Sequence, residues 1–265
     1  MIETTLIRVG ANNPGPLTGP GTNTWIFGQG EVVVIDPGPL MEDHLGKVAK
    51  TAASVGRVAA VICTHHHLDH REGADRLCQL TGAPLALFHT AADRPGQLPL
   101  YDGDRILAGT AELVALHTPG HARDHLCLLA ERERVLFTGD HVLSGTTSMI
   151  WPPDGDMSAY MQSLERLLEL AVDRLLPGHG EPITDPKVAV ASLIAHRLER
   201  EAQVLGTLRG GPARPQELVP LLYASYPEDV WDAAAQTTLA HCLKLAAEGR
   251  LRQLGAGDEA VFELA

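Results

Sequence analysis

A short apolar run that ends in a cluster of histidines constrains this 265-residue chain more than any other feature. The run RVAAVIC, residues 57–63, has the composition of a buried strand and passes directly into the polar segment THHHLDH, residues 64–70. Alternate residues of an extended segment point the same way, so His65 and His67 can bind one cation together. Asp69 and His70 follow where the chain turns into a helix and can face a second cation. Packing alone does not explain this segment, because burying imidazoles and a carboxylate without a cation is costly.

Three later segments have the same form, a strand end followed by a residue that can bind a metal. They are LHTPGH with His121, LFTGD with Asp140 and LLPGHG with His179. The carboxylate of Asp140 can bridge two ions, and the glycines let the backbone approach the ions closely. Each segment alone is a weak motif, but the four in this order are specific for a metal centre.

The composition is that of an ordinary globular protein with an acidic surface. Lys+Arg 21 against Asp+Glu 33 gives a formal net charge of −12, which argues against a generic nucleic-acid-binding protein, and no DNA partner is predicted. The four cysteines form no C-x-x-C pair, so a reducing compartment is expected. The first residues lack the pattern of a signal peptide, and no apolar run is long enough to span a membrane. A cytoplasmic protein without membrane contact is predicted.

The character of the chain changes near Asp185-Pro186. Before this point, short β-branched runs alternate with helical patterns. After it, three helical segments precede two short extended pieces that could form a hairpin, the outline of a winged helix. We therefore expect a catalytic domain over residues 1–186 and a helical, winged-helix-like domain over residues 187–265.

The complete set of candidate ligands resembles the metallo-β-lactamase superfamily. The set is His65, His67, Asp69, His70, His121, Asp140 and His179. The resemblance implies an α+β fold, a four-layer αββα sandwich with metals at one edge of two mixed sheets. It also implies that His65, His67 and His121 bind one ion and that Asp69, His70 and His179 bind the other, with Asp140 bridging them. Imidazole and carboxylate ligands without cysteine favour two Zn²⁺ ions, with iron and manganese as alternatives.

Differences within the superfamily narrow the expected activity. Oxygen-reducing diiron members typically place Glu where this chain has His67, and true β-lactamases usually place Cys where it has Asp140. More of the chain is similar to the β-lactamase-like protein 2 family, notably GPGTNTW at residues 19–25, IDPG at 35–38, residues 118–125 and Ala195-His196-Arg197. Eukaryotic members of that family are described as endonucleases of single-stranded RNA.

The reaction type follows from the metals, whereas the scissile bond does not. Two divalent ions lower the pKa of a bound water towards about 7, and the resulting hydroxide attacks a carbonyl or a phosphorus. Asp69 and Asp140 are the candidate catalytic proton acceptors. The acidic surface favours a small ester, thioester or lactone as substrate. A single-strand endoribonuclease is the alternative, and a binding or oligomerisation protein with a vestigial metal site is a third hypothesis.

Predictions also concern residues outside the ligand set. Asp36 could contact His70 or another ligand through the second ring nitrogen, and Trp151 could form a wall of the substrate pocket. His66 is interpreted as a supporting or surface residue rather than a ligand, and a functional role for His125 is left open. The aromatic residues of the C-terminal part suggest core packing or a homodimer contact.

Overall fold

The computed structural model describes residues 4–257 and 260–265, which form two compact units. The first unit comprises the residues up to Thr118 together with 124–147 and 170–186. The second comprises 119–123, 148–169 and 187–265. Segments 119–123 and 148–169 thus group with the C-terminal residues, whereas the predicted domains divide the chain once. The predicted domain limits 1–186 and 187–265 stay a prediction.

The first sheet of the first unit contains six strands in sequential order. They are β1 Thr5–Gly10, β2 Asn23–Gln29, β3 Glu31–Ile35, β4 Arg57–Ile62, β5 Leu85–Phe88 and β6 Leu98–Leu100. Strands β1 to β3 are antiparallel, whereas β3 to β6 are mutually parallel. The carboxyl ends of β3, β4 and β5 therefore meet at one edge.

The second sheet of this unit contains five strands in the order β11-β10-β9-β8-β7. They are β7 Arg105–Ala108, β8 Ala111–His117, β9 Leu126–Ala130, β10 Val135–Gly139 and β11 Arg174–Pro177. Strands β7 to β10 are antiparallel, and β11 joins β10 in parallel. Both sheets are mixed, as the expected fold class requires.

The two sheets pack face to face through a buried apolar core. Trp25 and Phe27 of the first sheet contact Phe137 of the second, with ring centres 6.0 and 5.6 Å apart. The outer face of the first sheet is covered by helices α1, Glu42–Val55, and α3, Ala74–Thr81. Between β4 and α3 lies the single-turn helix α2, Leu68–Arg71. The histidine-rich segment therefore leaves β4 and turns into a helix, as its pattern predicts.

The second unit is mainly helical. It contains α4 Met157–Leu168, α5 Pro186–Thr207, α6 Pro215–Leu222, α7 Trp231–Ala247 and the hairpin of β12 Leu251–Leu254 with β13 Val261–Leu264. The Asp156 carboxylate accepts a hydrogen bond from the Ala159 N–H, 2.8 Å away, and so caps α4. Phe262 of the hairpin and Leu245 of α7 are fully buried in one apolar cluster. The predicted sequence of three helices and a hairpin is confirmed.

The described residues include no helix that is both long and apolar enough to cross a membrane. The 22-residue helix α5 is the longest of the helices named above, and it carries charged residues along its length.

Phe137→Ala should destabilise the protein because it removes the ring that joins the two sheets. Phe137 is 1% exposed, and loss of such a buried aromatic side chain costs about 3–5 kcal/mol. Leu107→Ala is the control, because Leu107 is 64% exposed and its loss should cost less than about 0.5 kcal/mol. Urea denaturation followed by circular dichroism measures both. Equal midpoints for the two variants would contradict the face-to-face packing.

His241 of α7 should make the protein sensitive to acid. Burial lowers the pKa of His241 to about 4, against 6.5 for an ordinary histidine. The unfolded chain therefore takes up a proton before the folded chain does, and stability that is present above pH 6.5 is lost as the pH falls towards 4. In His241→Gln the free energy of unfolding should fall less over this pH range. Denaturation curves across that range, compared by slope, check this expectation; parallel slopes would contradict it.

Candidate metal centre

Polar residues of the first unit collect where four strands end at one edge of the sandwich. Asp36 follows β3, the histidine-rich segment follows β4, Asp140 follows β10 and His179 follows β11. Since β3 and β4 are parallel, as are β10 and β11, each pair delivers its polar residues to a common edge. The structure thus brings together six of the seven predicted ligands: His65, His67, Asp69, His70, Asp140 and His179.

The buried carboxylate of Asp36 organises the turn after β4. Its Oδ1 accepts the Thr64 N–H at 2.7 Å, and its Oδ2 accepts the Thr64 hydroxyl at 2.9 Å. The same Oδ2 lies 2.9 Å from Nδ1 of His70. A carboxylate accepts hydrogen bonds, so His70 Nδ1 carries the proton and Nε2 is the nitrogen available as a ligand. Asp36 thus contacts a candidate ligand at its second nitrogen.

One candidate ion site is formed by Asp69, His70 and His179. The Nε2 atoms of the two histidines are 3.2 Å apart, and His179 Nε2 is 3.2 Å from Asp69 Oδ2. His179 Nδ1 lies 3.1 Å from the Gly21 carbonyl, to which it donates. Both rings therefore direct Nε2 towards the same point beside a carboxylate. Such an arrangement suits a cation.

His65 and His67 form part of the other candidate ion site. Nε2 of His65 and Nδ1 of His67 are 3.0 Å apart, so the two rings face each other through their ligand nitrogens. Asp140 lies between the two groups. Its Oδ1 is 3.2 Å from His70 Nε2, and one of its oxygens lies within 4.8 Å of nitrogens of both His65 and His70. Asp140 is therefore close to a histidine of each group, and its bridging role stays a prediction.

Glycines keep this edge open for the ligands. A Cβ atom on Gly178 would lie 2.6 Å from the His70 ring and 2.7 Å from Asp140 Oδ1. Gly139 has φ +45°, and a Cβ there would lie 2.6 Å from Thr64 Oγ1. Any larger residue at either position would displace a ligand or its support.

Two supporting contacts, which the sequence patterns do not assign, involve Asp124 and His125. His125 Nε2 accepts the Asp140 N–H at 3.2 Å, while its Nδ1 lies 2.9 Å from the Thr118 hydroxyl. The fully buried His125 ring therefore fixes the backbone of Asp140. His66, half-buried, has Nδ1 2.8 Å from the buried carboxylate of Asp124. The available signal was the Asp-His pair shortly after His121.

The charges of the cluster are strongly coupled. Burial lowers the pKa of His70, but Asp140 and Asp36 raise it more, so that it lies well above its ordinary value. Burial likewise opposes protonation of His179, and the carboxylates of Asp140 and Asp69 still raise its pKa to about 9. Burial alone would raise the pKa of Asp140, yet the two histidines hold it well below the usual range. The buried carboxylates are thus stabilised by positive charge beside them.

The donor set fits a metal centre. Facing imidazole nitrogens and two carboxylates are the ligands of zinc, iron and manganese sites. Burial and the nearby Asp36 raise the pKa of Cys63 well above its ordinary value, so this neighbouring residue is a thiol.

The remaining predicted site residues, His121 and Trp151, belong to the second unit. His121 is 8% exposed, and its Nδ1 donates to the Met149 carbonyl at 2.7 Å. Trp151 is 49% exposed, and its carbonyl accepts the Gly155 N–H. The ligand role of His121 and the pocket role of Trp151 stay predictions.

Two family models match the chain. The Metallo-beta-lactamase superfamily model matches residues 17–179, more than half of the chain. The Beta-lactamase associated winged helix domain model matches residues 215–259, which confirms the predicted winged-helix part.

Curated relatives extend the similarity over most of the chain. An atrochrysone carboxyl ACP thioesterase from Aspergillus chevalieri is 35% identical, with 93% of this chain and 82% of the relative covered. A beta-lactamase-like protein 2 homolog from Drosophila melanogaster is 31% identical, with 98% and 94% covered.

Solved structures agree on the fold. A metallo-beta-lactamase family protein from Thermus thermophilus has a TM-score of 0.80 at 24% identity, with 98% of each chain covered. A beta-lactamase domain protein from Burkholderia ambifaria has a TM-score of 0.84 at 22% identity, with 99% of this chain and 91% of that chain covered. The predicted αββα class is confirmed, and with it the predicted family: the chain belongs to the metallo-beta-lactamase superfamily of metal-dependent hydrolases.

Proposed function

We propose that this chain hydrolyses the thioester of a small acyl group with two divalent metal ions. The observation that carries the proposal is the cluster of facing imidazoles and carboxylates at the edge of the sandwich. The thioesterase name of the relative that is 35% identical over most of the chain supports the choice of bond. Small esters and lactones have the same carbonyl chemistry and are the nearest alternatives.

The proposed ligand sets follow the superfamily motif. Asp69, His70 and His179 would hold one ion, while His65 and His67 with His121 would hold the other. Asp140 would contribute its carboxylate to both. The imidazole and carboxylate donors favour zinc. Iron is the main alternative, because a structural neighbour that is 27% identical is known in a di-iron-bound form.

When bound, the metal ions would activate water at neutral pH and polarise the scissile carbonyl. The chain's own residues provide orientation and a proton acceptor. Asp36 holds His70 in the tautomer that presents Nε2, and His125 holds the backbone of Asp140. The Asp69 side chain is 29% exposed, whereas that of Asp140 is 10% exposed. Asp69 is therefore the carboxylate better placed to take a proton at an oxygen and pass it to solvent.

The charge distribution favours an acyl substrate over RNA. An endoribonuclease needs unpaired cations that bind phosphates. Four arginines that follow or lie between the motif segments each lie within ion-pair distance of a carboxylate; the pairs are Arg71–Asp93, Arg94–Asp75, Arg105–Glu112 and Arg123–Asp154. With a net charge of −12, the surface as a whole repels a polyanion. Single-stranded RNA remains the alternative substrate. A cytoplasmic location and a homodimer stay predictions.

The zinc-loaded protein should release thiol from short acyl thioesters and leave single-stranded RNA intact. Metal removal with a chelator should abolish the activity, and added Zn²⁺ or Fe²⁺ should restore it. A thiol-reactive dye measures hydrolysis of a thioester series, with the oxygen esters of the same acids as the matched comparison. Metal-dependent RNA cleavage without thiol release would replace this proposal with the endoribonuclease.

Asp140→Asn should reduce activity by more than about 100-fold and reduce the bound metal from two ions towards one, because the amide loses the bridging charge. Metal content by mass spectrometry, measured beside activity, checks both effects. Asp173→Asn is the control, since Asp173 is an exposed partner of Arg134. Two ions and full activity in Asp140→Asn would contradict the bridging role.

A further inference from the structure

The loop that carries His121 is held by other segments of its own unit. The Gly120 carbonyl accepts the Asp156 N–H at 2.8 Å, and the His121 ring donates from Nδ1 to the Met149 carbonyl at 2.7 Å. A carbonyl only accepts, so Nδ1 carries the proton and Nε2 is the nitrogen that a metal can use. The position of the Met149 carbonyl therefore sets the tautomer and the direction of the ring.

A buried arginine of the C-terminal helix α5 holds the residue before Met149. Arg197 is 2% exposed, and its Nη2 donates to the Ser148 carbonyl at 2.5 Å. Its guanidinium lies 5.3 Å from the centre of the Tyr160 ring. Tyr160 packs so closely on Gly120 that a Cβ there would lie 2.3 Å from the Tyr160 Cα. Arg197 thus contacts the residue before Met149 and the ring of the residue that packs on Gly120.

Helix α7 holds the same segment from its other end. The Thr237 hydroxyl accepts the Ile150 N–H across a long 3.5 Å contact, and Thr237 is 6% exposed. Residues 148–150 are therefore attached to both α5 and α7, and the carbonyl that orients His121 lies between the two attachments.

We propose that Arg197 is a positioning residue for metal binding, which acts by fixing residues 148–150 and, through the Met149 carbonyl, the His121 ring. The inference rests on the ligand role of His121 in the proposed function. It gives the C-terminal helices a part in the metal chemistry, because the guanidinium that holds the His121 support comes from α5. Loss of Arg197 should loosen the ion that His121 binds and spare the ion of Asp69, His70 and His179.

The test compares two arginines one turn apart on α5. Arg197→Met removes the donor to Ser148, whereas Arg200→Met removes a guanidinium that is also buried, donates to the Leu222 carbonyl and lies over the Tyr223 ring. Each full-length protein is stripped of metal and titrated with Zn²⁺ against a chromophoric chelator. Arg197→Met should bind one of the two ions about 10- to 100-fold more weakly. Arg200→Met should retain both affinities.

A double-mutant cycle with His121→Ala separates positioning from general destabilisation. If Arg197 acts through His121, Arg197→Met should weaken zinc binding in the wild-type background and have little further effect in His121→Ala. Arg197→Lys, which keeps a cation able to reach a carbonyl, should restore part of the affinity. Additive losses in the cycle, or unchanged affinities in folded Arg197→Met, would overturn the proposal.

Thr237→Val decides the question if Arg197→Met does not fold. The substitution keeps the side-chain volume and removes the acceptor for the Ile150 N–H. Its control is Thr238→Val, because the Thr238 hydroxyl donates to the Ala234 carbonyl within α7. Weaker binding of one ion in Thr237→Val alone supports the positioning role, and equal affinities in both variants overturn it. A wild-type protein that takes up fewer than two ions would instead contradict the proposed function itself.

Discussion

The geometry of the site depends on the hydrogen bonds of the buried Asp36 carboxylate. This carboxylate joins the end of β3 to Thr64 at the end of β4, and it orients His70 through Nδ1. Asp36 adopts φ +51°, an unfavourable conformation for a residue other than glycine, and three hydrogen bonds compensate for it. The parallel pairing of β3 with β4 places these groups together. The arrangement of the candidate ligands therefore follows from the sheet topology.

Local patterns in the sequence predict which side chains cluster at the edge of the first unit, because these side chains follow buried strands; their role as ligands stays a prediction. The apolar run before His65 and the glycines beside Asp140 and His179 mark strand ends, and parallel strands bring such ends to one edge. The supports of the ligands are less visible. His125 binds the backbone of Asp140 from fifteen residues away, and Asp124 contacts His66 across the fold. Such contacts depend on tertiary packing, and no spacing along the chain encodes them.

The same limit applies to the fold. Buried strands such as β4 and β10 have continuous apolar runs and are predictable, whereas the edge strand β1 and the short strand β6 have mostly exposed or half-buried residues and carry little pattern. A composition change near residue 186 marks the start of α5. It cannot reveal that residues 119–123, only five residues long, group with the C-terminal helices. That grouping depends on contacts such as the one between Asp156 and Gly120.

The second unit contains both a winged-helix part and the segments that support His121. Its winged-helix part has its own apolar core around Phe262 and Leu245. Yet Arg197, on the helix that leads into this core, directs its buried charge to the Ser148 carbonyl rather than to a surface partner. Burying a guanidinium is costly unless its contacts need a cation or a rigid fork of donors. Arg197 binds the backbone next to the carbonyl that orients His121. Helix packing alone does not explain this buried arginine as well as the need to hold the His121 ring in one orientation does.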